Sequence, residues 1–197
     1  MAVTQPPTSL APDYFESMFR GTDDPWDLET SPYEQDKYAA TIAALRGREY
    51  RNGFEVGCAK GVLTKELAGH CAALLAIDVS ATALKAARAR CAQLDHVSFA
   101  NMVFPQVAPA RTFDFVVLSE VVYYWDDHDI KRAAQWIAAH VEAGGDILLV
   151  HWTGETDYPQ TGDEAIGKLQ DLLRESVDVI AADRTDRYRL DLWRRRP

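Results

Sequence analysis

The chain has 197 residues, 47% of them hydrophobic, which suits one domain with a sizeable core and argues against disorder. Thirty acidic residues against 21 basic ones give a net charge of −9 at pH 7. Such a surface repels phosphate backbones and anionic lipid, so nucleic acid and membranes are poor partners, whereas a small molecule, a cationic one included, fits the charge.

The first residues, 1–12, contain Pro, Ser and Thr and are expected to be loose. Residues 13–20 read as a short helix with Tyr14, Phe15, Met18 and Phe19 on its apolar side. A Gly-, Asp- and Pro-rich loop follows. Ser31-Pro32-Tyr33-Glu34 predicts a helix start, with Ser31 as N-cap, Pro32 in the first helical position and Glu34 closing a capping box. From Gly47 onward, short apolar runs alternate with amphipathic stretches. Strands are predicted over 54–56, 73–77, 97–99, 113–118 and 146–151, and helices over 60–68, 80–93, 129–141 and 165–173. Runs 177–182 and 188–193, joined by a short link, predict an antiparallel hairpin. Strands alternating with helices give right-handed βαβ units. The predicted fold is α/β, Rossmann-like and doubly wound, with a mostly parallel seven-stranded sheet and an antiparallel C-terminal hairpin. Residues 1–47 form an N-terminal helical segment, and 48–197 the main domain.

Three widely spaced cysteines, Cys58, Cys71 and Cys91, do not make a disulfide framework, which points to a reducing compartment. The five histidines form no metal-ligand motif, so no metal is expected. The N-terminus has neither the basic nor the apolar region of a secretory signal, and the longest apolar run is too short to span a bilayer. A cytoplasmic location is expected.

The informative stretch is Phe54-Glu55-Val56-Gly57-Cys58-Ala59-Lys60-Gly61, a strand entering a glycine turn and then a helix. In open α/β sheets ligands bind beyond the carboxyl ends of the strands, and glycines there reach positive φ and admit close approach. A dinucleotide fingerprint would need glycine at 57, 59 and 62, but Ala59 and Val62 occupy two of these. A phosphate-cradling GxxxxGK[ST] loop is also absent, because Lys60 precedes Gly61. The pattern that remains is acidic-x-Gly-x-x-x-Gly, and an acid at the strand end disfavours phosphate and favours a cation. About 20 residues on, Leu74-Leu75-Ala76-Ile77-Asp78 ends a second strand in an acid, the position that accepts ribose hydroxyls in nucleoside-binding folds.

These residues resemble the class I S-adenosylmethionine (SAM)-dependent methyltransferases over roughly residues 50–152. Glu55, Gly57, Ala59 and Gly61 are similar to the first motif, with Ala59 where a glycine is usual. Asn101 and Met102 stand where the family pairs and packs the adenine, the Asn101 amide oxygen serving as acceptor. The segment from Phe113-Asp114 through Tyr123-Tyr124 resembles the fourth strand. More narrowly, Asp24-Pro25-Trp26, Ser31-Pro32-Tyr33-Glu34, Lys37, the Glu55–Ala59 motif and Ser119–Tyr124 resemble the rhizobial nodulation protein S family, which N-methylates the free amine of a deacetylated chito-oligosaccharide. The likeness weakens beyond about residue 150, where His151–Pro159 departs from the nodulation enzymes.

The resemblance implies that SAM is the cofactor and S-adenosylhomocysteine the product. Trp26, Glu55, Gly57, Cys58, Ala59, Gly61, Asp78, Val79, Asn101, Met102, Ser119 and Glu120 are the expected cofactor-binding residues, with the Cys58 thiol taking no part in the chemistry. The N-terminal segment serves as a lid, Trp26 folding over the methionine end. Methyl transfer is an in-line displacement at carbon that the protein mainly positions and desolvates. An amine attacks only when neutral, so a proton acceptor helps. Glu120, His151 and Tyr124 are the candidate catalytic residues: Glu120 to bind and orient the ammonium, His151 to take its proton, and Tyr124 to shape the pocket. The acceptor is expected to be a small molecule, an amino sugar or related amine. A hydroxyl acceptor and a non-catalytic SAM-binding module are the alternatives, and the protein is expected to be a monomer or weak homodimer.

Overall fold

The computed structural model describes residues 6–197; positions 1–5 of the segment expected to be loose lie outside them. The described residues divide into two compact units, one of Ala11–Val103 and one of residues 6–10 with Phe104–Pro197.

The first unit opens with α1 (Pro12–Gly21) and α2 (Pro32–Ala44), followed by β1 (Tyr50–Val56), α3 (Val62–Leu67), β2 (Cys71–Asp78), α4 (Ala81–Arg90) and β3 (Val97–Asn101). β1 pairs parallel with β2, with Val56 opposite Ile77, and β2 parallel with β3, with Asp78 opposite Asn101. Both β1 and β2 therefore end at the same level, each in residues expected to hold ligand. Phe54, Leu74, Ala76 and Ile77 are buried along these strands, the near-continuous apolar pattern of a sheet covered on both faces. Ser80 caps α4 as expected, its hydroxyl accepting from Ala83 N at 3.0 Å.

The expected capping box at α2 is not formed. Ser31 is the N-cap and Pro32 begins the helix, but no side chain caps it. Glu34 is buried and pairs instead with Lys37 Nζ at 2.9 Å, because a buried carboxylate gains more from a cation one turn on than from a solvated backbone N–H.

The second unit holds β4 (Phe113–Ser119), a 3₁₀ turn at Val122–Tyr124, α5 (Asp127–His140), β5 (Val141–Trp152), α6 (Gly162–Leu173), β6 (Val177–Arg184) and β7 (Tyr188–Arg195). β4 and β5 are parallel; β5 with β7, and β7 with β6, are antiparallel. With these the seven strands have the mostly parallel, Rossmann-like architecture and the antiparallel C-terminal hairpin that the alternation predicts. β5 begins five residues earlier than expected, because the glycine turn at 143–145 is absorbed into the strand, with Gly144 at φ +76° and a register irregularity opposite Phe113/Phe115. α6 starts earlier too. Thr161 and Glu164 form a reciprocal capping box, a T-x-x-E signal that sequence reading passed over. Residues 9 and 10 are ordered rather than loose: Ser9 Oγ donates to Asp129 Oδ2 at 2.6 Å and Leu10 N to Tyr124 O at 2.9 Å.

Among the described residues, no helix is long and apolar enough to cross a membrane.

Candidate functional site

In the first unit the chain leaves β1 through a loop of left-handed residues. Gly57, Ala59 and Gly61 have φ of +77°, +45° and +75°. Gly57 N and Cys58 N both donate to Ile77 O at 2.9 Å, which locks the turn against the end of β2. A Cβ on Gly61 would lie 3.0 Å from both Cα and Cβ of Ala87, so glycine is required there by close approach to α4 as well as by φ. Ala59 adopts the same backbone region with a Cβ, at a cost of about 1–2 kcal/mol. The Cys58 side chain turns away into a cluster with Ala76, Leu84, Ala87 and Phe99, and burial pushes its thiol well above the usual range. Buried in that cluster, it packs the underside of the loop.

Asp78 closes the loop from the other side. Its Oδ2 accepts from Ala59 N and its Oδ1 from Ser80 N, each at 2.8 Å. Burial pushes its carboxyl up to about 6 in spite of these bonds. Glu55 is 2% exposed. Burial pushes it up to about 7, and the Asp78 charge adds to the effect. Among the described residues, Glu55 Oε2 is buried without a hydrogen-bond partner. An orphan carboxylate oxygen beside a second buried acid calls for donors or a cation and rejects phosphate.

Asn101 does not present itself as a freely oriented side chain. Its Nδ2 donates to Asp78 O at 3.0 Å and to Val79 O at 2.8 Å. The two carbonyls fix the amide, so its oxygen points away from them as an acceptor. Met102 N donates to Asp78 O at 3.1 Å. Val79, half-buried, follows Asp78 directly. Trp26 packs edge-on against Phe19 at 5.5 Å. Lys60, considered in the sequence only as a failed phosphate-loop lysine, is 4% exposed. It pairs with Asp23 at 3.1 Å and with Glu29, fastening the 21–30 loop to the glycine turn. Periodicity gave no signal for that tie.

The second unit gathers the remaining candidates at the ends of β4 and β5. Glu120, just past Ser119, stands at φ +57°, an uncommon conformation for a residue with a Cβ and one that clusters at functional sites. Its Oε2 accepts from Tyr123 Oη at 2.6 Å and from Trp152 N at 2.9 Å. The 3₁₀ turn lets Tyr123 and Tyr124 join one cluster rather than face apart, their rings edge-on at 4.6 Å. Tyr158, which sequence reading did not single out, stacks on Tyr123 at 5.4 Å and 16° and meets Tyr124 edge-on at 4.7 Å. It lies in the irregular 153–161 stretch, where neither period nor motif marks it. Burial, then neighbouring charge, holds Tyr123 and Tyr124 neutral, both well above the ordinary phenol value.

His151 is fully buried. Its Nε2 accepts from Val122 N at 3.1 Å, so the neutral ring carries its proton on Nδ1. The nitrogen able to take a proton is thus already engaged in holding the 3₁₀ turn. Asp126, His128 and Asp129 bring potential ligand atoms within 4.8 Å of one another. Their carboxylates are already used to start α5: Asp126 Oδ1 accepts from Asp129 N at 2.9 Å, and Asp129 Oδ2 accepts from Ser9 and from Gln106, the latter at 3.1 Å.

Residues 17–149 match the family model described as nodulation protein S. Nodulation protein S of Bradyrhizobium diazoefficiens is 36% identical over 106 residues, 53% of this chain and 51% of that one. Nodulation protein S of Rhizobium tropici is 37% identical over 129 residues, 64% and 54% of the two chains. The chain therefore spans about half the length of the curated relatives it matches. Among solved structures, that of the N-methyltransferase NodS from Bradyrhizobium japonicum in complex with S-adenosyl-L-homocysteine superposes with a TM-score of 0.80 at 26% identity, covering 92% of this chain and 97% of that one. The [4+2]-cyclase SpnF, 11% identical with a TM-score of 0.77, shares the fold alone, so the fold by itself does not settle the reaction.

Proposed function

The chain belongs to the nodulation protein S family, and from that membership together with the site we infer that it is a SAM-dependent methyltransferase acting on the amine of a small molecule, an amino sugar or a related amine. The observation that carries this reading is the pair of buried acids, Glu55 and Asp78, flanking a left-handed glycine turn with one carboxylate oxygen unsatisfied. A ligand with an ammonium, a sulfonium and ribose hydroxyls, and no phosphate, supplies the donors and positive charge that these acceptors call for.

When bound, SAM supplies an electrophilic methyl group on sulfonium. Glu55 answers the ammonium, directly or through water. Asp78, already anchored by two backbone N–H groups, offers its remaining lone pairs to the ribose hydroxyls. The fixed Asn101 amide oxygen accepts from the adenine amine, with Met102 and Val79 packed beside it. Gly57, Ala59 and Gly61 keep the loop backbone open to close approach, Cys58 supporting it from the core. Trp26, in the loop that Asp23 and Glu29 tie to Lys60, covers the amino-acid end. Ser119 and Glu120 serve the methyl-transfer end. Glu120 takes up and orients the acceptor ammonium, and its proton must leave before nitrogen can attack.

The engaged Nε2 of His151 favours the amine over the hydroxyl reading. An alcohol needs a free base, and His151 would have to release Val122 N to become one. We therefore assign His151 to holding the turn and proton uptake to Glu120.

Calorimetric titration with SAM, S-adenosylhomocysteine and NADH tests the cofactor. Micromolar binding of both adenosyl ligands and none of NADH is expected; absence of adenosyl binding overturns the assignment. Amino sugars with and without N-acetylation then test the acceptor. Equal methylation of N-acetylated and free-amine sugars rules out the amine reading.

A further inference from the structure

The 3₁₀ turn at Val122–Tyr124 is held by three segments that lie far apart in the chain. Val122 N donates to His151 Nε2 at 3.1 Å, Gln160 N to Tyr123 O at 3.2 Å and Leu10 N to Tyr124 O at 2.9 Å. The third of these mounts comes from the segment expected to be loose, and Ser9 strengthens it. Its Oγ accepts from Asp126 N at 2.9 Å and donates to Asp129 Oδ2 at 2.6 Å, so the hydroxyl is used in both senses. The chain is thereby gripped on either side of Trp125, which is buried and packs against Phe104 at 5.7 Å. Capping α5 does not account for Ser9, because Asp126 Oδ1 already accepts from Asp129 N at 2.9 Å. What Ser9 and Leu10 add is a hold on residues 124 and 126, at the exit of the turn.

The turn matters through what it aims. Tyr123 Oη donates to Glu120 Oε2 at 2.6 Å, and the two residues stand on the two sides of the bend. A small rotation of the turn opens this bond. Trp152 N, 2.9 Å from the same oxygen, pins one point of the carboxylate, and a second donor is needed to stop the group swinging about it.

We propose that residues 6–10 belong to the methyl-transfer machinery and that Ser9 is a positioning residue for Glu120, acting through the turn. This rests on the amine reading above, in which Glu120 takes up and orients the acceptor ammonium. Ser9 and Leu10 hold residues 124 and 126, the held turn keeps Tyr123 Oη on Glu120 Oε2, and the carboxylate is set before the acceptor arrives. Pro6 and Pro7 line a cleft together with Pro159 and Gln160, so the segment runs beside the stretch that supplies the second mount. Proline at both positions limits the freedom that seating the segment takes away.

A double-mutant cycle tests the proposal, with glucosamine oligomers as acceptor. Ser9→Ala should lower kcat by about 5- to 30-fold and leave the SAM dissociation constant within about twofold. Ser9→Thr keeps the hydroxyl and should stay within about threefold of wild type. In a Tyr123→Phe background Ser9→Ala should cost less than about twofold more, since the bond it protects is already gone. Losses that multiply in the double variant, or a Ser9→Ala variant as active as wild type, overturn the proposal. A second readout needs no acceptor. The Tyr123 hydroxyl proton, assigned in the proton NMR spectrum of the full chain by its loss in Tyr123→Phe, should stand downfield in wild type and Ser9→Thr. In Ser9→Ala it should move upfield or vanish. A wild type without this signal, or a signal unchanged in Ser9→Ala, overturns the proposal. A wild type that methylates no free amine refutes the amine reading instead, and the hydroxyl proton then decides whether Ser9 holds Tyr123 on Glu120.

Discussion

Replacing Glu55 with Gln should make the ligand-free protein more stable at neutral pH while weakening cofactor binding. Glu55 is 2% exposed and burial lifts its carboxyl from 4.5 to about 7. Because the folded value lies above the unfolded one, folding takes up a proton between those two pH values. The stability tied to this group is therefore complete below about pH 4.5 and is lost as pH rises through about 7. At 1.36 kcal/mol per pH unit, ionised Glu55 costs roughly 3 kcal/mol above pH 8. Gln has the same shape and no charge, so the gain approaches that figure at pH 8 and vanishes near pH 4.5. Urea denaturation of wild type and Glu55→Gln at both pH values measures it, with unchanged m-values showing that the unfolded states match. A variant less stable than wild type at pH 8 would falsify the account of Glu55 as an uncompensated buried charge kept for a cationic ligand.

Asp78→Ala should weaken SAM binding by about 10- to 150-fold, the loss of roughly 1.5–3 kcal/mol from hydrogen bonds to a charged group; calorimetry reads it, and a change below about threefold removes Asp78 from the ribose. Ala59→Gly should relieve the left-handed backbone at φ +45° and stabilise by up to about 1 kcal/mol, net of the added unfolded-state entropy. Gly61→Ala should do the opposite by about 1–3 kcal/mol, since its Cβ meets Ala87; equal midpoints in urea for the two variants refute the loop argument. Glu120→Gln should leave SAM affinity within about twofold and lower turnover by 10²-fold or more, so loss of cofactor binding would misplace that residue.

The strands and the cofactor loop were legible because their signals are local. The apolar run Phe113–Leu118, the strand-end acids Glu55 and Asp78 and the glycines at 57 and 61 each have a physical reason within a few residues. Long-range partners were not legible. Nothing near Lys60 predicts its pairing with Asp23 and Glu29, some thirty residues upstream, and nothing near Asn101 says that its amide nitrogen is spent on the Asp78 and Val79 carbonyls. The Ser31–Glu34 and Thr161–Glu164 pairs have the same spacing and opposite outcomes. Glu34 is buried beside Lys37 and leaves its cap, whereas Glu164 is exposed and keeps it. Burial decides between them, and a single sequence does not report burial for a carboxylate. Tyr158 sits in a stretch without period, and only the fold shows what it stacks on.

Helix α4 has no acidic residue in its first turn, and the anion its N-terminus favours comes from elsewhere. Glu16, on α1, accepts from Ser80 Oγ at 2.7 Å and from Thr82 Oγ1 at 2.8 Å, bonds that hold its carboxyl down at about 2. Positions 16, 80 and 82 thus form one unit of inheritance. A change that removes the carboxylate strands two hydroxyls, and a change of either hydroxyl devalues the carboxylate. In a set of relatives these three positions should vary together or not at all, and a chain that lost the hydroxyl at 82 should be found with a different residue at 16.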